Sequence, residues 1–302
     1  KVKYGHSEVG SICEDGNVME QHEIELALAP IDEAADHLVI AMWMLRMVGN
    51  REGVAVTFAP KILPRHAGSG MHVHTRLIRD GRNAMTSNGE LSETARRVIA
   101  GYLTLAPSLT AFGNTIPTSY MRLVPHQEAP THICWGDRNR SALIRVPLGW
   151  QQIGDMARNA NPQESLQRLP EGESQTVEIR CPDGSAQAYL LLAAIAVAAR
   201  HGLEMERALD IARRQYVGVN IFSEDQAQLR ESLPHLPASC SESAARLLEQ
   251  RALYEAEDVF PPAVIDATAA RLRSYADEGL VERVKGNHEE MSRLIKKYLY
   301  CP

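Results

Sequence analysis

The chain has 302 residues, enough for one large domain or two ordinary ones. Hydrophobic residues make up 44% and charged residues 23% of it, which excludes a disordered or fibrous protein. Thirty-two Lys and Arg residues stand against 38 Asp and Glu residues, so the net charge is −6 and no nucleic-acid partner is expected.

The cysteines and the apolar runs of the sequence indicate where in the cell the protein is located. Five cysteines are scattered without a CxxC pair, which indicates reduced thiols rather than disulfides or a zinc site. The uncharged run of residues 184–199, rich in Ala and Leu, is shorter than the roughly 20 apolar residues of a membrane span. We therefore expect a cytoplasmic protein with no membrane segment. The chain opens without Met or a signal peptide, and we expect it to be a piece of a longer protein.

The first 50 residues predict a strand and a helix. Residues 22–28 alternate in polarity, which places Glu23 and Glu25 on one face of a strand. Residues 31–49 have the periodicity of an amphipathic helix, and its acidic first turn suits the helix dipole.

The next segment predicts two strands, a turn and a second helix. Residues 54–60 and 71–78 are apolar enough for strands, and the loop between them is basic and rich in glycine. Asn88–Gly89 has the composition of a tight turn. Ser92 is placed to cap a long helix that runs to about residue 111.

Residues 113–150 are irregular and rich in proline and arginine, which is more often a sign of function than of filler. A polar insertion follows, and then residues 175–185 predict a strand and a turn. A helix rich in Ala and Leu is expected over 185–203, and beyond Pro234 the chain is charged and helical.

Histidines and glycines between residues 68 and 74 suggest a binding site. Residues two apart on a strand face the same side, so His72 and His74 point into one space. Gly68 and Gly70 let backbone amides approach an anion or a small polar ligand. Two surface histidines on an edge strand are the alternative interpretation.

Carboxylates elsewhere complete a possible metal-ligand set. Glu178 and Arg180 share one face of a strand, where a simple salt bridge is the alternative. Glu8 and Glu23 lie near turns and could be solvated acids. Carboxylates together with imidazoles form the oxygen and nitrogen ligand set that suits Mg²⁺ or Mn²⁺.

Arginines supply the complementary charge. Arg122, Arg138, Arg140 and Arg145 have the character of an anion clamp, because guanidinium groups match carboxylate and phosphate oxygens. Metal ligands, acids and arginines together favour phosphoryl transfer from a nucleotide. The sequence has no Walker A motif, kinase HRD motif or dinucleotide GxGxxG motif, so the familiar folds for that chemistry are not expected.

These residues fall in motifs of a known family. The chain resembles the catalytic domain of glutamine synthetase, the ATP-dependent glutamate–ammonia ligase, and its details resemble the large bacterial type III branch. The resemblance covers residues 6–183, and the remaining residues fit the helical end of that domain. The matching blocks are HSEVG, QHEIE, TFAPK, AGSGMHVH, NTIPTSYMRLVPHQEAP, DRNRSALIRVP and VEIRCPD.

The resemblance implies two metal sites, for Mg²⁺ or Mn²⁺. Glu8 and Glu23 correspond to ligands of the metal on the glutamate side, although an inserted turn must loop out between them. His72 and Glu178 correspond to ligands of the metal that bridges the ATP phosphates.

It also implies substrate contacts. Gly68 would lie against glutamate, Arg122 would hold its carboxylate, and Arg180 would contact its reacting end and take part in catalysis. Glu128 corresponds to the acid of the flap that covers the site and accepts a proton from ammonium.

The nucleotide contacts come from three further positions. His74, Arg140 and Arg145 correspond to residues at the ATP phosphates, and Arg140 would also stabilise the transferring phosphoryl group. Lys61 corresponds to a lysine whose role is as easily structural as catalytic.

The fold implied is α+β, with a curved antiparallel sheet backed by helices, as in catalytic domains of the glutamine synthetase and guanido kinase-like kind. Residues 1–235 would form the catalytic domain and residues 236–302 its helical C-terminal region. The family's first metal-binding strand and its β-grasp domain would precede residue 1.

The function implied for the parent protein is ATP-dependent ligation of ammonia to glutamate through a γ-glutamyl phosphate. The parent would be a homo-oligomer of stacked rings, expected to be a dodecamer, with glutamate, ammonium and ATP as partners. Two alternatives remain: a γ-glutamyl ligase for an organic amine, and a catalytically incomplete assembly domain that binds nucleotide. The 302-residue piece by itself is expected to be inactive.

Overall fold

The computed structural model describes residues 1–14, 16–125, 127, 129–148 and 174–300. It has the predicted α+β architecture, with mixed and antiparallel sheets backed by helices. The ten strands of the described residues are β1 Val2–Glu14, β2 Asn17–Leu26, β3 Val73–Thr75, β4 Ile78–Arg79, β5 Arg82–Asn83, β6 Thr86–Ser87, β7 Glu90–Leu91, β8 Trp135–Asp137, β9 Ile144–Val146 and β10 Val177–Ile179.

Eleven α-helices lie within the described residues, most of them in the second half of the chain. They are α1 Ile31–Arg51, α2 Glu93–Gly113, α3 Pro117–Arg122, α4 Ala188–Glu204, α5 Ala208–Arg214, α6 Ala227–Ser232, α7 Cys240–Glu249, α8 Arg251–Glu255, α9 Pro262–Arg273, α10 Leu280–Val284 and α11 His288–Tyr298.

Four short strands form the central sheet, in the order β3–β10–β9–β8. Strand β10 runs antiparallel to both of its neighbours, as the sequence suggested. Strand β8 runs parallel to β9, so the sheet is mixed rather than wholly antiparallel. The middle position of β10 belongs to Glu178, whose cross-strand partners are His74 and Arg145.

The N-terminal strands β1 and β2 form a separate antiparallel hairpin. His6 lies opposite Glu23, and the register shifts between Ser7 and Ser11. A long hairpin with an irregularity in one strand is how the chain accommodates the wide spacing between Glu8 and Glu23.

Helices α2 and α4 cross behind the central sheet. Their backbones touch at two glycines: a Cβ atom on Gly101 would lie 2.0 Å from the carbonyl oxygen of Ala198, and one on Gly202 would lie 2.1 Å from that of Arg97. Any larger residue would force these helices apart. The predicted cap of α2 is confirmed, because the Ser92 hydroxyl accepts a hydrogen bond from the amide of Ala95 at 3.0 Å.

Two strand predictions were wrong in extent. Residues 54–60 form no strand, because no described segment pairs with them and the Thr57 hydroxyl instead accepts a hydrogen bond from the Ala59 amide. The strand predicted over 71–78 is divided, with β3 in the central sheet and β4 in a hairpin with β5. Apolar character alone does not supply a pairing partner.

The C-terminal helices share a core with the sheet. One hydrophobic cluster contains Tyr102 and Phe112 of α2 together with Leu247 of α7 and Ile265 of α9. The predicted boundary between residues 235 and 236 stays a prediction.

Helix α1 exposes apolar residues on its outer side. Trp43 is 61% exposed, and Ile40, Met44 and Met47 are also exposed. Among the described residues no single helix is long and apolar enough to cross a membrane. Helices α4 and α5 together, although bent relative to each other, have the length and composition of a membrane span. Much of α4 is buried in the core.

Candidate functional site

The centre of the site is the buried carboxylate of Glu178, in the middle of the central sheet. One of its oxygens lies 3.0 Å from Nδ1 of His72 and 3.5 Å from Nε of Arg180. The other accepts a hydrogen bond from Nε of Arg145. Three basic side chains from three segments of the chain therefore meet at one carboxylate with no exposed surface.

The charges around Glu178 decide its protonation. Burial alone would raise the pKa of its carboxyl, but the His72 contact and the charges of Arg145 and His74 outweigh burial and lower the pKa to about 2. Burial also lowers the pKa of His72, against the opposing effect of Glu178. At neutral pH the site therefore holds a carboxylate beside a neutral imidazole, which is the state of both groups that binds a metal.

Main-chain carbonyl groups fix Arg180 and a further arginine, Arg122. Arg122 is 2% exposed and donates hydrogen bonds to the carbonyl oxygens of Cys181 at 2.8 Å and Arg180 at 3.1 Å. Arg180 donates to the carbonyl oxygens of Arg140 and Ala142. Main-chain carbonyls therefore hold both guanidinium groups in place, and both groups bring positive charge to the site.

The glycine loop before β3 packs against Arg122. A Cβ atom on Gly68 would lie 2.2 Å from the carbonyl oxygen of Pro60, and one on Gly70 would lie 2.4 Å from Nη2 of Arg122. A side chain at position 68 would collide with the backbone, and one at position 70 would force the Arg122 guanidinium group to shift. The loop thus brings its backbone against a guanidinium group of the same chain, and the predicted approach to an anion or a small polar ligand stays a prediction.

The hairpin carries a second cluster, formed by His6, Glu8 and Glu23. One ligand atom from each lies within 4.8 Å of the others, and Nε2 of His6 is 3.1 Å from a Glu8 oxygen. All three side chains are exposed. Partial burial raises the pKa of Glu23, as does the charge of Glu8, while His6 opposes the shift.

His6 is a residue that the sequence analysis missed. The signal was present, because His6 and Glu8 are two apart on a strand and so share a face. Glu8 and Glu23, which were predicted to share a metal, do come together. They do so in a group separate from His72 and Glu178.

The residues predicted to contact the nucleotide line one open cleft, which is also lined by the hairpin and by Glu178. Nδ1 of His74 lies 3.0 Å from the Thr176 hydroxyl, and burial lowers the His74 pKa. Arg145 and the exposed Arg140 also line the cleft. Glu128, predicted as the catalytic acid of the flap, lies outside the described residues.

The geometry defines a class of domain: an α+β domain with two clusters of carboxylate and histidine side chains that could hold cations, beside arginines fixed by main-chain carbonyls. A comparison with family models identifies it further. The model described as "Glutamine synthetase, catalytic domain" matches residues 6–274. This chain belongs to the glutamine synthetase catalytic-domain family.

Individual relatives agree with this assignment. The glutamine synthetase of Pyrococcus abyssi is 34% identical over 252 residues, which cover 83% of this chain and 50% of that protein. The glutamine synthetase of Aquifex aeolicus is 33% identical over 291 residues, 92% of this chain and 57% of that protein. The chain thus spans about half the length of the curated relatives it matches.

Solved structures show the same fold. The glutamine synthetase of Plasmodium falciparum, determined by cryo-electron microscopy, superposes with a TM-score of 0.68 at 23% identity, over 92% of this chain and 56% of that chain. A complex of GmaS with ADP superposes with a TM-score of 0.63 at 25% identity, over 85% of this chain and 54% of that chain.

Proposed function

We propose that the parent protein of this chain ligates ammonia to glutamate, using ATP to form a γ-glutamyl phosphate. The observation that carries the proposal is the Glu178 centre, where one buried carboxylate meets His72, Arg145 and Arg180 beside a glycine loop. Family membership supplies the reaction class, and the GmaS structure with ADP supports a nucleotide in this fold.

The residues present fit Mg²⁺ or Mn²⁺, the ions expected of the family. His72 and Glu178 offer one imidazole and one ionised carboxylate, and Glu8, Glu23 and His6 offer a second set. Such mixed oxygen and nitrogen donors suit these two ions. Bound ions would neutralise phosphate charge during transfer.

The arginines account for the anionic substrates. Arg122 and Arg180 are assigned to glutamate, Arg180 with a catalytic part, and Gly68 allows the substrate to approach the loop backbone. Arg140 and Arg145, with His74, are assigned to the ATP phosphates. Preorganised guanidinium groups stabilise charge that develops on a transferring phosphoryl group, because they need no reorganisation.

The acceptor side of the reaction depends on Glu128. Ammonium has no free electron pair, so a carboxylate must take its proton before nitrogen attacks the acyl phosphate. The chain places Glu128 directly after Gln127, which lines the cleft.

An assay of the full-length parent with glutamate, ATP and either ammonium or a series of organic amines tests the proposal. We expect glutamine and one phosphate per turnover with ammonium. E178Q should lower turnover by roughly 10²- to 10³-fold, whereas E289Q, a change at an exposed residue of α11, should not. Products with amines but none with ammonium would establish the alternative γ-glutamyl ligase and overturn the proposal.

Other properties of the parent belong to the same proposal. We expect the parent to be a cytoplasmic dodecamer of stacked rings. We also expect it to belong to the large bacterial type III branch of the family. The 302-residue chain assayed alone is expected to produce no glutamine. Native mass spectrometry of the parent measures the subunit number directly.

A further inference from the structure

Lys61 is an unusual buried residue next to the cleft. Its exposed fraction is 3%, and its ammonium group donates hydrogen bonds to the main-chain carbonyl of His66 and to Oε1 of Gln127. No carboxylate of the described residues lies within 4.0 Å of it. Both acceptors are neutral, so within the part of the chain that the structure describes the Lys61 charge is met by dipoles alone.

Such an arrangement is a poor choice for stability alone. Burial lowers the pKa of Lys61 to about 8, and among the described residues no charged group opposes that shift. A buried ammonium without an anion costs free energy that an apolar residue of the same length would not. A residue that carries this cost is a candidate for a functional role.

The two acceptors of Lys61 belong to different walls of the cleft. His66 lies in the loop that continues to Gly68, where the amide of Ser69 donates to the carbonyl of Pro60 at 3.0 Å. Gln127 lies in the segment after α3, and both Gly68 and Gln127 line the cleft. Lys61 therefore links the glycine loop to the Gln127 segment without itself lining the cleft.

The contact also fixes the orientation of the Gln127 amide. An ammonium group only donates hydrogen bonds, so it must face the amide oxygen of Gln127. The amide NH₂ group, on the other branch, is then left to donate elsewhere. With the opposite flip, the Lys61 ammonium group and the Gln127 NH₂ group would be two donors facing each other.

We propose that Lys61 is a positioning residue that joins the glycine loop to the Gln127 segment and turns the Gln127 amide so that its NH₂ group serves the anionic substrate. The proposal rests on the function proposed above, because that function supplies a substrate carboxylate. Lys61 itself does not touch the substrate, since it lies behind the residues that line the cleft.

The kinetic test uses the full-length parent with K61M, Q127L and the double variant. Each single change should raise the KM for glutamate about tenfold, the value of one lost charge-assisted hydrogen bond, and leave the KM for ATP unchanged. The double variant should be no worse than K61M alone, because both single changes remove the same hydrogen bond between Lys61 and Gln127. K285M, at an exposed lysine of the C-terminal region, is the control and should change nothing.

Three kinetic outcomes would overturn the proposal. They are equal losses for glutamate and ATP, additive effects of K61M and Q127L, or no effect of Q127L. If K61M fails to fold, Q127L decides the question, since Gln127 is only half-buried and its loss leaves Lys61 in place.

A second measurement separates this inference from the proposed function. Amide hydrogen exchange on the 302-residue chain should be about tenfold faster over residues 62–70 and 123–131 in K61M, and unchanged in α9. Faster exchange in both segments supports the join even if the parent makes no glutamine. Unchanged exchange in residues 123–131 would refute it even in an active enzyme.

Discussion

The two candidate cation sites differ in how the fold holds them. The Glu178 centre lies within the central sheet, and its carboxylate is closed off by His72, Arg145 and Arg180. The His6, Glu8 and Glu23 cluster lies on an isolated hairpin, and all three side chains are exposed. The first site is preorganised by packing, and the second depends on what binds there. Changes at the two sites should therefore separate stability from ligand binding.

The largest effect is expected at the preorganised site. E178Q in the parent should lower kcat by roughly 10²- to 10³-fold, the usual loss for one electrostatic group at a phosphoryl-transfer centre. Steady-state kinetics measures this, with E289Q as the exposed control. A normal kcat for E178Q would show that Glu178 has a structural role only, as the ion-pair partner of Arg145 and Arg180.

The same carboxylate should govern acid stability. Its pKa is about 2 in the folded chain and near 4.5 when unfolded, so its contribution is complete above pH 4.5 and is lost as the pH falls toward 2. The difference in unfolding free energy between the native chain and E178Q should shrink by on the order of 3 kcal/mol over that range. Urea titrations at several pH values would test this, and a difference independent of pH would contradict it.

A smaller effect is expected at the glycine loop. The new Cβ of G70A would clash with a guanidinium group held by two carbonyls, so the unfolding free energy should fall by about 1–3 kcal/mol. G218A is a matched control, because its Cβ would meet only ordinary contacts. Equal thermal shifts for both variants would mean that Arg122 moves freely.

The smallest change in stability is expected at the hairpin. E23Q should leave the unfolding free energy within about 0.5 kcal/mol of the native value, because the side chain is exposed. Mn²⁺ affinity, followed by electron paramagnetic resonance, should fall about tenfold or more. E20Q, a change at another exposed acid of β2, should leave both values unchanged. If E23Q lost stability but kept its Mn²⁺ affinity, the hairpin cluster would be a structural feature and not a cation site.

Short motifs allowed much of this protein to be predicted. The order of the motifs along the chain identified the fold and the family. The family resemblance paired His72 with Glu178 and Glu8 with Glu23, and both pairs lie close together in the structure. The cap at Ser92 followed from its hydroxyl alone. These features depend on local sequence or on short family motifs that can be recognised in a single sequence.

Other features depend on contacts between distant segments, which one sequence does not reveal. Residues 54–60 have strand composition but no partner among the described residues, and β8 pairs with β9 in parallel because of where the intervening loop returns the chain. Arg122 was predicted to hold a carboxylate, and its bonds to two main-chain carbonyls could not be foreseen. The same is true of the contact between Lys61 and Gln127.

The crossing of α2 and α4 at Gly101 and Gly202 has a consequence for how the site moves. Helix α2 ends at Gly113, whose carbonyl accepts a hydrogen bond from the amide of Asp183 at 3.1 Å, and α4 begins a few residues after Asp183. Helices in backbone contact cannot slide independently, so thermal motion should carry this turn and the carbonyls that hold Arg122 as one body. The position of the Arg122 guanidinium group should then vary less with temperature than the positions of the exposed hairpin side chains do.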